Sequence, residues 1–216
     1  MLRLIVGNLN YSSWSIRPWL ALKHAGLEFK IHDVGLKADG GYRDRILAFS
    51  GAGTVPILVD GSLSVHESLA ICEYVAELAP AAKLWPEDAK LRARGRAIAS
   101  EMHSGFSAMR SSLHHNLRGR AKATPQGAEI DANIARVLDI WQASLQSAGG
   151  PFLLGSFSIA DCFYFPVVSR FRTYAVPLPA EAQAYSAALF ALPLVQELEA
   201  LALTTPPIPE YDAALG

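Results

Sequence analysis

Three short stretches of the 216-residue chain bring together side chains that bind or activate anions. In "NYSSWSIRPW" (10–19), Tyr11, Ser12 and Ser13 follow an apolar run and precede a helical pattern. A hydroxyl at a helix N-terminus can stabilise an anion such as a thiolate, because the helix dipole and free N–H groups stand behind it. It can equally be a plain N-cap. Ser12 is the better placed to aim at a ligand. Ser13 is the better placed to cap, with the Ser15 and Ile16 N–H groups as targets. In "TVP" (54–56), a proline opening a strand can take the cis form and turn the Val55 N–H and C=O outward. Those groups could pair with a peptide-like ligand, and a trans-Pro turn is the alternative. In "ES" (67–68), at the start of a helix, Ser68 and the backbone N–H groups suit an anion and Glu67 suits an ammonium. A zwitterionic amino-acid end would satisfy both, although read alone the pair is a capping pair.

These stretches need elements to hold them, and the chain supplies a regular alternation. "LRLIVGN" (2–8) and "EFKIHDV" (28–34) read as strands, and "SWSIRPWLALKHAG" (13–26) between them as a helix ending at Gly26. "YRDRILAFSGAG" (42–53) is a short helix running into a Gly-rich turn. "TVPILVDGSLSV" (54–65) is a hairpin around "DGS", and "HESLAICEYVAELAP" (66–80) is a helix. The order is βαβαββα, and its first three elements form a βαβ unit. "APAAKLWPED" reads as a linker. After it come only helical patterns: one long one over 87–120 and one from Ile130 to Gly149-Gly150. A third starts near Ser158, and shorter ones lie around 180–190 and 193–203. The proline-rich tail reads as irregular.

Composition excludes several classes. With 51% hydrophobic and 18% charged residues the chain can build a sizeable core and is not disordered. Nineteen basic against twenty acidic side chains leave no excess for a nucleic-acid backbone, and "LRARGR" (91–96) reads as a solvated helix face. Cys72 and Cys162 lie far apart in apolar surroundings, which predicts buried free thiols and a reducing compartment. No histidine spacing suggests a metal, no apolar run is long enough for a membrane span, and no secretion signal is visible, so a cytoplasmic protein is expected.

Taken together, the βαβαββα order, the hydroxyls before the first helix, "TVP" and "ES" resemble the glutathione transferase family, along essentially the whole chain. "SFSIAD" (156–161) is similar to the family's internal helix start, with Ser158 as N-cap and Asp161 as the acid of a capping box. The resemblance implies a thioredoxin-like N-terminal α/β domain over 1–80, a linker over 81–88 and an all-α domain over 89–216.

It also implies glutathione as co-substrate. Val55 would bind its cysteinyl backbone beside a cis Pro56, and Glu67 and Ser68 its γ-glutamyl end. "YSSWSIR" looks most like the "SSCS" motif of the serine-using zeta class, which places Ser12 or Ser13 at the sulfur, with Tyr11 ranked third. Trp14 stands where that motif has cysteine, and Thr54 where a lysine or glutamine is usual. Lys37, Arg43 and Arg45 are candidates for the glycyl carboxylate. An electrophile would sit between the domains, against His103, Phe106, Met109 and Arg110 and the "SRFRTY" stretch with Arg170 and Arg172. The implied activity is conjugation of the glutathione thiolate to small hydrophobic electrophiles, or peroxide reduction. Zeta-type cis-trans isomerisation and a non-catalytic binding module are the alternatives. The family's usual homodimer is expected, with the third helix meeting the partner's long helix.

Overall fold

The structure, a computed structural model, describes residues 1–36 and 40–216. Four strands, β1 (Leu2–Val6), β2 (Phe29–Asp33), β3 (Ile57–Asp60) and β4 (Leu63–His66), form one mixed sheet in the order β2-β1-β3-β4. β2 runs parallel to β1, with Leu4 opposite Ile31, and β3 runs antiparallel to β1, with Leu4 opposite Leu58. Alternation along β1 and β3 divides their side chains between two faces. Leu4, Val6 and Leu58 pack on the side of α1 (Ser13–His24) and α3 (Ser68–Leu78). Ile5, Ile57 and Val59 pack with Val34 and Ile46, the latter on α2 (Tyr42–Leu47). The two central strands are therefore covered on both faces, as a thioredoxin-like domain requires, while β2 and β4 are largely exposed. The Val55–Pro56 peptide is cis.

The rest is helical: α4 (Ala89–Ser104), α5 (Ser107–Ser112), α6 (Ala128–Ala148), α7 (Ile159–Thr173), α8 (Ala180–Phe190), α9 (Pro193–Thr204) and α10 (Pro209–Ala213). The single long helix expected over 87–120 is corrected to α4, α5 and an irregular segment. Gly105 closes α4, and Phe106 then turns into left-handed geometry at φ 59°. Met102, Phe106, Met109, Leu113 and Leu117 nevertheless all enter one core, which is why their spacing imitated a continuous helix. The tail, expected to be irregular, carries α10. Residues 81–88 hold the end of a 3-10 turn (Pro80–Ala82) and are anchored by the buried Leu84 and Trp85.

α7 is the central helix of this part and is buried along nearly its whole length. It packs directly on α1, which joins the sheet domain to the helices. Asp161 anchors its start: one carboxylate oxygen accepts from the Ser158 N–H and hydroxyl (both 2.9 Å), the other from the Leu153 N–H and the Tyr185 hydroxyl (both 3.1 Å). Both cysteines are buried free thiols, and burial pushes each above its ordinary pKa. Among the described residues no single helix is long and apolar enough to cross a membrane, and α8 and α9, which would be so jointly, meet at a 73° bend.

Candidate functional site

A cavity of about 410 Å³ opens where the N-terminus of α1 meets the loop before β3 and the helices beyond. Tyr11, Ser12, Ser13 and Trp14 form one wall, Gly53, Thr54 and Val55 a second, and Arg110, His115, Arg170 and Tyr211 a third. Seven of the expected site residues thus converge: Tyr11, Ser12, Ser13, Thr54, Val55, Arg110 and Arg170. Among the described residues neither the N–H nor the C=O of Val55 takes part in a hydrogen bond, so both remain available to a ligand backbone.

The three hydroxyls have different occupations. Ser12, not Ser13, is the N-cap of α1: its Oγ accepts from the Ser15 N–H (3.3 Å) and donates to Ser15 Oγ (2.9 Å). The expected cap at Ser13 is therefore corrected to Ser12, because the helix begins at Ser13 and its cap lies one residue earlier. Ser13 Oγ accepts from Arg170 Nη2 (3.3 Å), which leaves its own proton uncommitted. The Tyr11 hydroxyl donates to Asp212 Oδ1 (2.7 Å) and accepts from the Ile208 N–H (3.1 Å) and Arg118 Nη2 (2.9 Å). Burial raises its pKa, and it ties the C-terminal segment to the strand–helix junction.

Glu67 and Ser68 lie at the start of α3. Glu67 is the N-cap, with φ at 78°, an unusual value for a side-chain-bearing residue. Its carboxylate accepts from the Leu69 N–H (2.9 and 3.0 Å) and the Ser68 hydroxyl (3.0 Å), and His103 Nδ1 lies 3.3 Å away. The Glu67 side chain is still 38% exposed, so the cap keeps one side open. Burial lowers the His103 pKa against the opposing pull of Glu67. Beneath them Arg17 is buried and donates to Ser68 Oγ (3.4 Å). Burial pushes its pKa down to about 9.

The residues proposed for an electrophile separate. Arg110 faces the cavity, its guanidinium held by the His103 and Gly105 carbonyls and lying 4.6 Å from the Trp14 ring centroid. His103 lies against the other edge of Trp14, at 5.2 Å. Phe106 and Met109 are core residues, and Arg172 pairs with Glu199 (2.7 Å) and stacks on Phe190, away from the cavity. Arg43 is exposed on α2, and Arg45 is bound to the Val34 carbonyl (2.8 Å). Lys37 lies outside the described residues. Trp14, His115 and Tyr211 were missed as wall residues. Trp14 was in view as a departure from a motif, whereas the other two reach the cavity only through tertiary folding. Among the described residues no group of three or more His, Cys, Asp or Glu could hold a metal.

Comparison with known proteins bears on this geometry. A family model described as "Glutathione S-transferase, N-terminal domain" matches residues 11–78. A second, "Glutathione S-transferase, C-terminal domain", matches residues 124–201. Maleylacetoacetate isomerase of Rattus norvegicus is 29% identical across 77% of this chain and 76% of its own. Protein IN2-1 homolog A of Oryza sativa is 28% identical across 73% of this chain but only 61% of its own length. A theta class glutathione S-transferase from Xanthomonas axonopodis, solved with glutathione bound, superposes with a TM-score of 0.68 at 26% identity, covering 91% of this chain and 95% of that one. A glutathione transferase homolog from Burkholderia, also with bound glutathione, shares the fold with a TM-score of 0.73 at 23% identity, covering 94% and 97%. The two family models match in chain order and between them span most of the sequence, on either side of a junction where α1 packs against α7: the chain belongs to the glutathione S-transferase family.

Proposed function

We propose that this protein binds glutathione in the cavity at the start of α1 and transfers its thiolate to a small electrophile. The observation that carries the reading is the convergence of an uncommitted Ser13 hydroxyl and unpaired Val55 backbone groups on one cavity. In this reading Val55 pairs with the cysteinyl backbone beside Pro56. Glu67 meets the γ-glutamyl ammonium, and Ser68, buried and bonded to both Glu67 and Arg17, holds that end of the site from beneath. Thr54 borders the same backbone, and Arg43, or Lys37, serves the glycyl end. Ser13 donates to the sulfur, while Ser12 keeps the helix start in place.

A free thiol of this kind ionises at about pH 8.5. A charge-assisted hydrogen bond contributes about 1.5–3 kcal/mol. That is enough to bring the thiol pKa to neutrality and to quicken attack by roughly one to two decades. The thiol loses its proton to solvent, the sulfur lone pair forms the new C–S bond, and the leaving group departs with its electron pair. Trp14, Arg110 and His103 border the approach of the electrophile. We read the protein as a cytoplasmic homodimer with residues 1–80 and 89–216 as its two domains. Sedimentation as a monomer at micromolar concentration would refute the dimer.

The test is a calorimetric titration with glutathione, then an ultraviolet titration of the bound thiolate and a panel of haloarenes, activated alkenes and peroxides. Binding with a lowered thiol pKa and consumption of glutathione supports the transferase. Relatives named maleylacetoacetate isomerase favour a second reading, glutathione-dependent cis-trans isomerisation, in which a maleyl compound turns over while glutathione is conserved. Binding without a thiolate signal would instead mark a non-catalytic module.

A further inference from the structure

The helical part contributes to the cavity a buried cation that no acidic side chain among the described residues is paired with. Arg170 on α7 is only 5% exposed. Its guanidinium donates from Nε to the Leu113 carbonyl (2.7 Å), from Nη1 to the Pro166 carbonyl (3.2 Å) and from Nη2 to Ser13 Oγ (3.3 Å). Two backbone carbonyls and a hydroxyl take three of its five N–H donors and leave its charge unbalanced. The other charged or titratable groups near it come from the elements packed around it: Arg110 on α5, His115 after it, whose imidazole burial holds well below its ordinary pKa, Tyr174 just past the end of α7 and, further in, Arg17 on α1. Among the described residues none of those lining the cavity is an aspartate or glutamate. A buried guanidinium without a counter-ion is unfavourable unless an anion arrives with the ligand. Burial accordingly pushes the Arg170 pKa down to about 9, and still leaves it charged at neutral pH.

The hydrogen-bond directions say where the anion should form. Guanidinium groups only donate, so Ser13 Oγ is the acceptor in its bond to Arg170, and its proton must point elsewhere. Ser12 cannot substitute, since its hydroxyl is spent on Ser15. We propose that Arg170 is the positioning residue for the thiol: it turns the Ser13 proton into the cavity and balances, through that hydroxyl, the thiolate formed there. This rests on the glutathione reading above. It adds that activation of the thiol is shared between α1 and a helix more than 150 residues further along the chain. The step balances without a further reactant. The thiol proton leaves to solvent on binding, and the negative charge stays on sulfur opposite the Ser13–Arg170 pair.

The test compares wild type with Arg170→Met, Arg170→Lys and Ser13→Ala in the full chain. Each is measured for glutathione affinity, for the thiol pKa of bound glutathione by thiolate absorbance, and for the pH profile of kcat/KM. Arg170→Met should raise the bound thiol pKa by about one unit and lower kcat/KM at neutral pH about tenfold, with the loss recovered at alkaline pH. Glutathione KM should change less than twofold. Arg170→Lys, which keeps the charge but not the fork, should fall between the two. Adding Arg170→Met to Ser13→Ala should shift the thiol pKa by less than the sum of the two single shifts. Proton release on binding should be seen in wild type with glutathione and not with S-methylglutathione.

A folded Arg170→Met with an unmoved thiol pKa and pH profile overturns the proposal while leaving the transferase reading intact. If Arg170→Met does not fold, Arg170→Lys and Ser13→Ala decide: an unmoved thiol pKa in either has the same consequence. If wild type binds no glutathione at all, the transferase reading falls and this proposal with it.

Discussion

Two helix starts in this molecule each combine a serine with an acidic residue, one closed and one open. At α7, Ser158 and Asp161 are buried, the acid accepts four hydrogen bonds from the protein, and nothing is left over for a ligand. At α3, Glu67 and Ser68 also form a cap, but the Glu67 side chain is 38% exposed and its backbone is held at φ 78°. The first cap is satisfied and regular, and its value is in folding. The second is open and held in a sparsely populated conformation, a combination found at ligand sites. Residue type announces that a helix starts; exposure and backbone geometry tell what the start is for.

The contrast can be broken by substitution, and the largest effect should be at α7. Asp161→Ala strands the Leu153 N–H, the Ser158 N–H and hydroxyl and the Tyr185 hydroxyl, and should cost about 3 kcal/mol of stability in denaturant melts. Affinity for glutathione, measured below the transition, should be unchanged. The same residue has a pH signature. Burial raises its pKa to about 6 in the fold, against the four donors that pull the other way. The folded chain therefore holds this proton more tightly than the unfolded one. The resulting stabilisation is complete below the unfolded pKa of about 3.9 and lost as pH rises through about 6. Asp161→Asn should lack that fall, seen as a flatter stability profile than wild type between those limits. Next comes Ser13→Ala, expected to lower turnover by roughly one to two decades and to raise the bound thiol pKa, with about 1–2 kcal/mol lost in the melt because the buried Arg170 guanidinium loses an acceptor.

Glu67→Gln sharpens the comparison directly. It keeps a capping acceptor but removes the charge facing an ammonium, so glutathione Kd should rise about tenfold with stability altered by less than about 1 kcal/mol. A large loss of stability with unchanged Kd would make α3 a second folding cap. Tyr11→Phe should cost about 1 kcal/mol through the lost contacts to Asp212 and the Ile208 N–H, with no change in thiol pKa. The smallest effect belongs to Arg172→Ala. Its pair with Glu199 is partly exposed and stands apart from the cavity, so less than about 1 kcal/mol of stability and no measurable turnover should be lost.

Much of the sheet domain was legible because its signals are local. Period-two runs, a hairpin turn and Gly26 after the first helix fixed the element order, and "TVP" and "SIAD" behaved as their residue types suggest. What escaped was set by distance or by a single residue of offset. The break at Gly105 was hidden because core-facing residues continue in phase on both sides of it. That Ser12 rather than Ser13 caps α1 turned on where the helix begins, a boundary that local patterns leave uncertain by a residue or two. Arg170 reaches Ser13 across 157 positions. No local pattern encodes that contact, and none separates Phe106 and Met109, which face the core, from Arg110, which faces the cavity.

Asn10, just ahead of the serines, fastens the strand–helix junction to the segment after α5. Its carbonyl accepts from the Leu117 N–H (3.0 Å), its side-chain oxygen from the Arg118 N–H (3.0 Å), and its amide donates to Asn116 (2.9 Å). Two amides far along the chain are thus protected from solvent deuterium only while residue 10 stays in place. Their exchange should follow the opening of the α1 start, not the fraying of their own irregular segment. A ligand seated against Ser13 should slow both amides together, a signal at residues 117 and 118 for an event more than a hundred positions earlier in the chain.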